Sequence, residues 1–190
     1  MLLKYVDHSS NAIDNGVNET VITLKDDKYP VTVKLHYVAY GKENIIRTFT
    51  EISHEEKKPV ILCKYASSML HLNSSKYFLT EFSGDWAHEA NVTERELAFG
   101  KKVIDTKLGA RANMFVSPFF QLALDNSSQE NAGEMLVGTI GWTGNFRFTF
   151  EVDNKNELRI ISGINPYDSE YSLPAKEVFR TPDFYFTYST

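Results

Sequence analysis

Apolar and polar residues alternate along most of this chain with a period of two, the spacing that sends successive side chains to opposite faces of a β-strand. The clearest run is Asn145 to Val152. There Phe146, Phe148, Phe150 and Val152 share one face, and Arg147, Thr149 and Glu151 share the other, so the run predicts a half-buried strand. Asp153 to Asn156 supplies residues that tolerate turn geometry, and Glu157 to Ser162 resumes the alternation, so the pair predicts a hairpin. Similar runs predict strands over Thr20–Lys25, Val31–Tyr40, Ile45–Ile52, Val60–Ser67, Tyr77–Phe82, Leu97–Thr106, Phe119–Leu124, Glu134–Trp142 and Asp183–Tyr188. The stretches Asn11–Asn18 and Asp125–Gly133 are polar enough to read as long loops.

No window keeps an apolar stripe at helical spacing behind a capping residue, and Asn91–Ala98, with Thr93 and Glu96 at capping-box positions, reads as loop or strand. The chain is therefore expected to be all-β with few or no helices, folded as a large antiparallel β-sandwich of two packed sheets. With 190 residues and the same pattern on both sides of each polar stretch, one domain over 1–190 accounts for it. The 13 Phe, 10 Tyr and 2 Trp supply the apolar area for a sizeable core, which excludes a disordered chain.

Charge narrows the partners. Lys and Arg number 20 against 25 Asp and Glu, a net charge of -5, and the basic residues form no stripe, so nucleic acid is not an expected partner. No long apolar run predicts a membrane span, and Met1–Asn15 lacks a cationic stretch followed by an apolar one, so neither a membrane nor a signal peptide is expected. Cys63 has no intrachain partner, which suits a reducing, cytoplasmic setting, and within its strand-like run it is expected to be buried and inert.

Candidate chemistry is sparse. His8, His36, His54, His71 and His88 show no metal-ligand spacing, so no metal and no cofactor is expected, and His36 reads as a surface or edge residue. No Gly-x-Ser-x-Gly elbow activates a serine. Gly138, Gly141 and Gly144 lie within a strand pattern and read as bulges or points of close sheet packing. The four Asn-x-Ser/Thr sequons, at Asn18, Asn73, Asn91 and Asn126, read as turn positions. Glycoside hydrolysis requires two carboxyl groups facing a sugar, and the densest polar group is Ser83-Gly84-Asp85-Trp86-Ala87-His88-Glu89. Two readings compete there. Trp86 either stacks on a sugar beside Asp85, or fills the core while Asp85 and Glu89 cap a turn, and the second is the better expectation for a large aromatic beside a glycine turn.

A series of short words in fixed order resembles the N-terminal β-supersandwich domain of glycoside hydrolase family thirty-six, the α-galactosidases. These words are Phe82 to Glu89, Gly100, Gly109–Asn113, Ser117–Phe120, Glu130, Gly133–Glu134, Thr143–Phe146, Gly163–Pro166, Phe179-x-Thr181-Pro182 and Tyr188–Ser189, with Val33–Ile52 similar upstream. The resemblance implies a galactose-mutarotase-like sandwich that holds no catalytic residue itself. It also implies that the chain is a fragment, lacking the family's extreme N-terminal segment and the downstream (β/α)-barrel whose two aspartates carry out retaining hydrolysis of terminal α-galactosides of the melibiose and raffinose type. The expected partners are that barrel, a further copy in a homo-oligomer and, through the parent enzyme, an α-galactoside. Thr143, Ser117 and Ala175–Lys176 depart from the family's residues in loops.

Three functions follow: an ancillary domain of a retaining α-galactosidase, a free-standing carbohydrate-binding module using Trp86, Asp85 and Trp142, or a small hydrolase using Asp85 and Glu89. The first carries a structural expectation. Trp86, Phe119, Phe120 and Trp142 should divide between the core and an exposed apolar surface shaped for a partner.

Overall fold

The computed structural model describes residues Met1–Thr190. Alternation becomes sheet almost throughout, and every strand pairing is antiparallel. In chain order the strands are β1 (Leu3–Asp14), β2 (Val17–Asp26), β3 (Val31–Tyr40), β4 (Ile45–His54), β5 (Val60–Leu62), β6 (Ser68–Asn73), β7 (Tyr77–Asp85) and β8 (His88–Glu96). They continue with β9 (Gly100–Asp105), β10 (Val116–Leu124), β11 (Met135–Gly141), β12 (Phe146–Val152), β13 (Glu157–Ile164), β14 (Tyr171–Leu173), β15 (Val178–Arg180) and β16 (Asp183–Ser189). The helical content is one 3₁₀ turn at Gly109–Arg111.

The main layer is a ten-stranded sheet in the order β1-β2-β3-β4-β16-β11-β10-β7-β8, with β15 also pairing on β4. A four-stranded sheet, β6-β13-β12-β9, packs over its middle, and β5 and β14 form a separate two-stranded ribbon. The core lies between the two layers. Tyr77 and Leu79 of β7, Phe120 and Leu122 of β10, Leu136 and Ile140 of β11 and Phe184 of β16 face Phe146, Phe148 and Phe150 of β12 and Leu158 and Ile160 of β13. The Phe120 ring meets Phe148 at 5.3 Å and Phe150 at 4.9 Å between centroids, both edge-on, a favoured geometry for aromatic pairs. Gly138 is needed for this packing. A Cβ there would stand 2.5 Å from Phe120 Cζ and 2.8 Å from Phe184 Cζ, so only a missing side chain lets both rings close.

The four-stranded layer is narrower than the sheet it covers, so both ends of the main sheet overhang. At one end β1 is exposed along nearly its whole length, and at the other β8 is exposed at every residue. The long N-terminal loop expected around Asn11–Asn18 is instead the hairpin of β1 and β2, turned at Asn15–Gly16 with Gly16 at φ +82°. Ladder hydrogen bonds, not burial, define this strand, which is why its polar sequence gave no alternation. The expected strand Val60–Ser67 divides. β5 stops at Leu62, residues 63–67 cross over β13 where a Cβ on Gly163 would stand 3.3 Å from Ala66 Cα, and β6 then joins the small sheet. Two further expectations fail with it. Cys63 falls in the break and is exposed, not buried, and Asn18, Asn73 and Asn91 lie on strands β2, β6 and β8 rather than in turns.

Candidate functional site

The β7–β8 hairpin presents the residues singled out in sequence. Asp85 pairs with His88, which leaves Trp86 and Ala87 as the two-residue tip, with Ala87 in the left-handed region at φ 62°. The Asp85 carboxylate accepts the Trp86 amide proton at 2.7 Å, and the Glu89 carboxylate accepts that of Ala87 at 3.2 Å. Gly84 permits the bulge behind the tip, since a Cβ there would meet His88 O at 2.7 Å and Glu89 Cα at 2.9 Å. Both carboxylates therefore cap a turn, as one of the two readings expects. Trp86 departs from that reading: it is 88% exposed and takes no part in the core. A two-residue tip points its first side chain outward, and this geometry outweighs the general tendency of a large aromatic to be buried.

Trp142 stands on a different connection, between β11 and β12, where it is 40% exposed and its indole lies over Gly144, with Nε1 2.8 Å from where a Cβ would be. None of the principal grooves of the surface includes Asp85, Trp86 or Trp142, so the structure does not gather the three into one cleft. The four aromatics do divide as the ancillary-domain reading expects. Phe120 is fully buried, Phe119 is half-buried against Phe82 at 5.2 Å, and Trp86 and Trp142 face solvent. Exposed Met114 and Phe115 adjoin the hairpin, the Phe115 carbonyl accepting the Gly84 amide proton at 3.0 Å, so exposed apolar side chains flank the hairpin tip beside the polar, exposed edge strand β8.

A retaining glycosidase needs one carboxyl group held protonated near neutral pH. The carboxylates here whose ionisation is displaced from its ordinary range move the other way. Hydrogen bonds from the Lys28, Tyr29 and Leu2 amides hold Asp26 low, those of Ser74 and Ser75 hold Asp125 low, and those of Glu157 and Lys155 hold Asp153 low. Glu94 is lowered by hydrogen bonds from Ser128 and Thr80, and Glu151 by Arg159 and Lys101. Asp26, Asp125 and Asp153 are occupied in turns, Glu151 in ion pairs and Glu94 in hydrogen bonds from Thr80 and Ser128, and none of these five is poised as a general acid.

One polar constellation escaped the sequence reading. On the outer face of β2–β4, His36 Nδ1 lies 3.0 Å from Glu19 Oε1, His36 Nε2 lies 3.3 Å from Glu51 Oε2, and the ring stacks on Phe49 at 4.2 Å. The Arg180 guanidinium sits 3.8 Å from the centroid of the same phenyl ring and pairs with Asp183, which also receives Arg47 at 3.8 Å and the Tyr185 hydroxyl at 3.3 Å. Burial, reinforced by the Asp183 charge, pushes the Tyr185 phenol up. Arg47 and Arg180 both pair with Asp183, and the array ties together β2, β3, β4, β15 and β16. His36, expected at a surface or edge, is half-buried within it.

Comparison with known proteins decides what this sandwich is. The family model described as the glycosyl hydrolase family 36 N-terminal domain matches residues 3–174, nearly the whole chain. The chain belongs to that family. Among its relatives, it is 29% identical to α-galactosidase AgaA of Geobacillus stearothermophilus over 97% of its own length and 24% of that protein's. It is 26% identical to α-galactosidase Mel36A of Lactobacillus acidophilus over 98% of its length and 25% of that protein's. Its fold superimposes on the crystal structure of the G. stearothermophilus enzyme with a TM-score of 0.89 at 26% identity, covering 98% of this chain and 28% of the other. This family 36 chain thus spans about a quarter of the length of the curated relatives it matches. The match takes in β1 and the polar start of β2 and the resembling words from Phe82 to Pro166, while Phe179-x-Thr181-Pro182 and Tyr188–Ser189 lie beyond its end.

Proposed function

We propose that this chain serves as the N-terminal β-sandwich of a retaining glycoside hydrolase acting on terminal α-galactosides, that it carries no catalytic residue, and that it supports a (β/α)-barrel and the assembly of the oligomer. The observation that carries this reading is the family match combined with the state of the carboxylates. The relatives are α-galactosidases about four times as long, while here the acidic groups with displaced ionisation are all held on the ionised side by hydrogen bonds or ion pairs. The exposed apolar side chains of Trp86, Met114 and Phe115 supply a surface of the kind a neighbouring domain covers. The exposed thiol of Cys63 suits a reducing, cytoplasmic location. The test is an assay of the purified chain with p-nitrophenyl α-galactoside, with no turnover expected. Turnover that disappears in Asp85→Asn would overturn the reading in favour of a small hydrolase.

The 88% exposure of Trp86 favours one alternative, a free-standing carbohydrate-binding module in which the indole stacks on a sugar. Calorimetry with galactose, melibiose and raffinose separates the two. The ancillary reading expects no heat of binding, whereas saturable heat lost in Trp86→Ala establishes the module.

A further inference from the structure

The outer face of the four-stranded sheet carries a groove of about 430 Å³ that no function above uses. Arg147 of β12 lines it together with Lys64, and its apolar walls are formed by Tyr65, Met69, Ile161 and Pro166. Arg147 alternates with the core phenylalanines of its strand, so its side chain is directed away from the core and into this groove. It is half-buried, and its Nε–H is shut off from solvent with no acceptor. Arg47 and Arg159 share that deficiency at Nε, but Arg47 reaches Asp183 and Arg159 reaches Glu151. Arg95 and Arg180 are also paired, with Glu81 and Asp183, and Arg111 is exposed. Arg147 alone is half-buried with no carboxylate within 4.0 Å. The nearest acid in register, Asp105, accepts instead from Asn165 Nδ2 at 3.3 Å, and Lys64 is unpaired as well.

The buried Nε–H is out of reach from outside, but the two terminal nitrogens carry no hydrogen bond or ion pair, and a carboxylate received there through two parallel N–H···O bonds complements the charge best. The chain as a whole is negative, with a net charge of -5, which makes two unpaired cations in one apolar groove a local exception with a definite complement. The groove is broad and open to one side, a shape that suits a side chain presented by a protein surface better than a small molecule, which needs enclosure. We propose that this groove receives an aspartate or glutamate flanked by apolar residues, presented by the catalytic part of the same enzyme, with Arg147 as its anchor. The assignment rests on the reading that the domain works against a larger catalytic part.

The test follows the Arg147 Nε–H resonance of the ¹⁵N-labelled chain during titration with acetyl-Leu-Asp-Leu-amide, its Asn counterpart and sodium acetate. The Asp peptide is expected to shift that resonance saturably and at least about tenfold more tightly than the Asn peptide or acetate, an effect weakened by added salt. In Arg147→Met the peptide-induced shift of the Ile161 amide should vanish while the Phe148 and Phe150 resonances stay in place, which separates loss of the anchor from loss of the fold. No saturable shift, or equal binding of the Asp and Asn peptides, overturns the proposal. Acetate binding as tightly as the peptide also overturns it, by making the groove a site for small free carboxylates. These outcomes are independent of the hydrolysis assay, so the groove can fail while the ancillary role stands.

Discussion

Gly138 offers the most direct test of how the two layers close. A Cβ at this position would lie 2.5 Å from Phe120 Cζ, 2.7 Å from Phe120 Cε1 and 2.8 Å from Phe184 Cζ. Neither ring has room to retreat, because Phe120 and Phe184 are fully buried and Phe120 is held edge-on by Phe148 and Phe150. The backbone at Gly138 is not in the left-handed region, so Gly138→Ala carries no dihedral penalty and its cost is steric. Overpacking a filled core costs about 1–3 kcal/mol, and replacing a strand glycine with alanine returns roughly 0.5–1 kcal/mol of chain entropy. The net expectation is a loss of about 1–2 kcal/mol, equivalent to a fall in Tm of roughly 2–8 °C for a chain of this size. Urea or thermal unfolding measures it. A double-mutant cycle with Phe120→Leu, which trims the offending ring, should show the two changes offsetting each other by at least about 0.5 kcal/mol. A Gly138→Ala protein more stable than its parent, or strictly additive effects in the cycle, would refute the packing argument.

Trp86→Ala should leave Tm within about 1–2 °C of the parent because the indole is solvent-facing, while Phe148→Ala, emptying a fully buried position, should cost about 3–5 kcal/mol; differential scanning calorimetry on both checks the contrast. Asp125 is held below its ordinary value of 3.8 by Ser74 and Ser75, so its contribution to stability is complete above that value and is lost as pH falls through the lowered folded value. The Tm difference between the parent and Asp125→Asn should therefore be constant above about pH 5 and close as the solution is acidified below about pH 4; a difference that widens on acidification would contradict the assignment. The exposed Cys63 thiol should react fully with a thiol-specific disulfide reagent in the native state, whereas reaction only after denaturant would return it to the buried position expected from sequence.

The sequence was legible wherever one face of a strand is buried. Phe146, Phe148, Phe150 and Val152 show their alternation because the core makes one face of β12 uniformly apolar. β1 was illegible for the converse reason. Residues such as Asp7, His8, Ser9 and Ser10 are exposed on both faces, and the strand exists because its backbone pairs with β2 from Leu3 to Asp14. The three-residue strands β5, β14 and β15 are too short to display any period. At the candidate hairpin the turn-capping carboxylates were readable from Asp85 and Glu89, but the exposure of Trp86 depends on which residues form the tip, and register is a property of paired strands. The His36, Glu19, Glu51 and Arg180 array lies beyond local reading for the same reason, since Lys34↔Glu51 and His36↔Phe49 become neighbours only once β3 and β4 have aligned.

The same distinction bears on what a sandwich of this kind contributes to an enzyme. Catalytic carboxyl groups must be free of strong local hydrogen bonds or be desolvated if they are to stay protonated, and that leaves them poorly suited to bracing a turn. Here Asp26, Asp125 and Asp153 brace connections next to β2, β10 and β12, accepting backbone amides and hydroxyls that would otherwise lack fixed partners. Their lowered ionisation is the signature of that bracing, and it stiffens the loops that carry the strands. Stiffness alone explains neither apolar side chains left in solvent at the hairpin tip nor an arginine left without an acid. Unsatisfied hydroxyls of Thr48, Ser67, Ser68 and Ser162 lie inside the sandwich, whereas the Trp86 indole and the Arg147 guanidinium lie on its outer surfaces, where the proposed ancillary role expects a neighbour. On that proposal, these two outward-facing features mark where contact is expected.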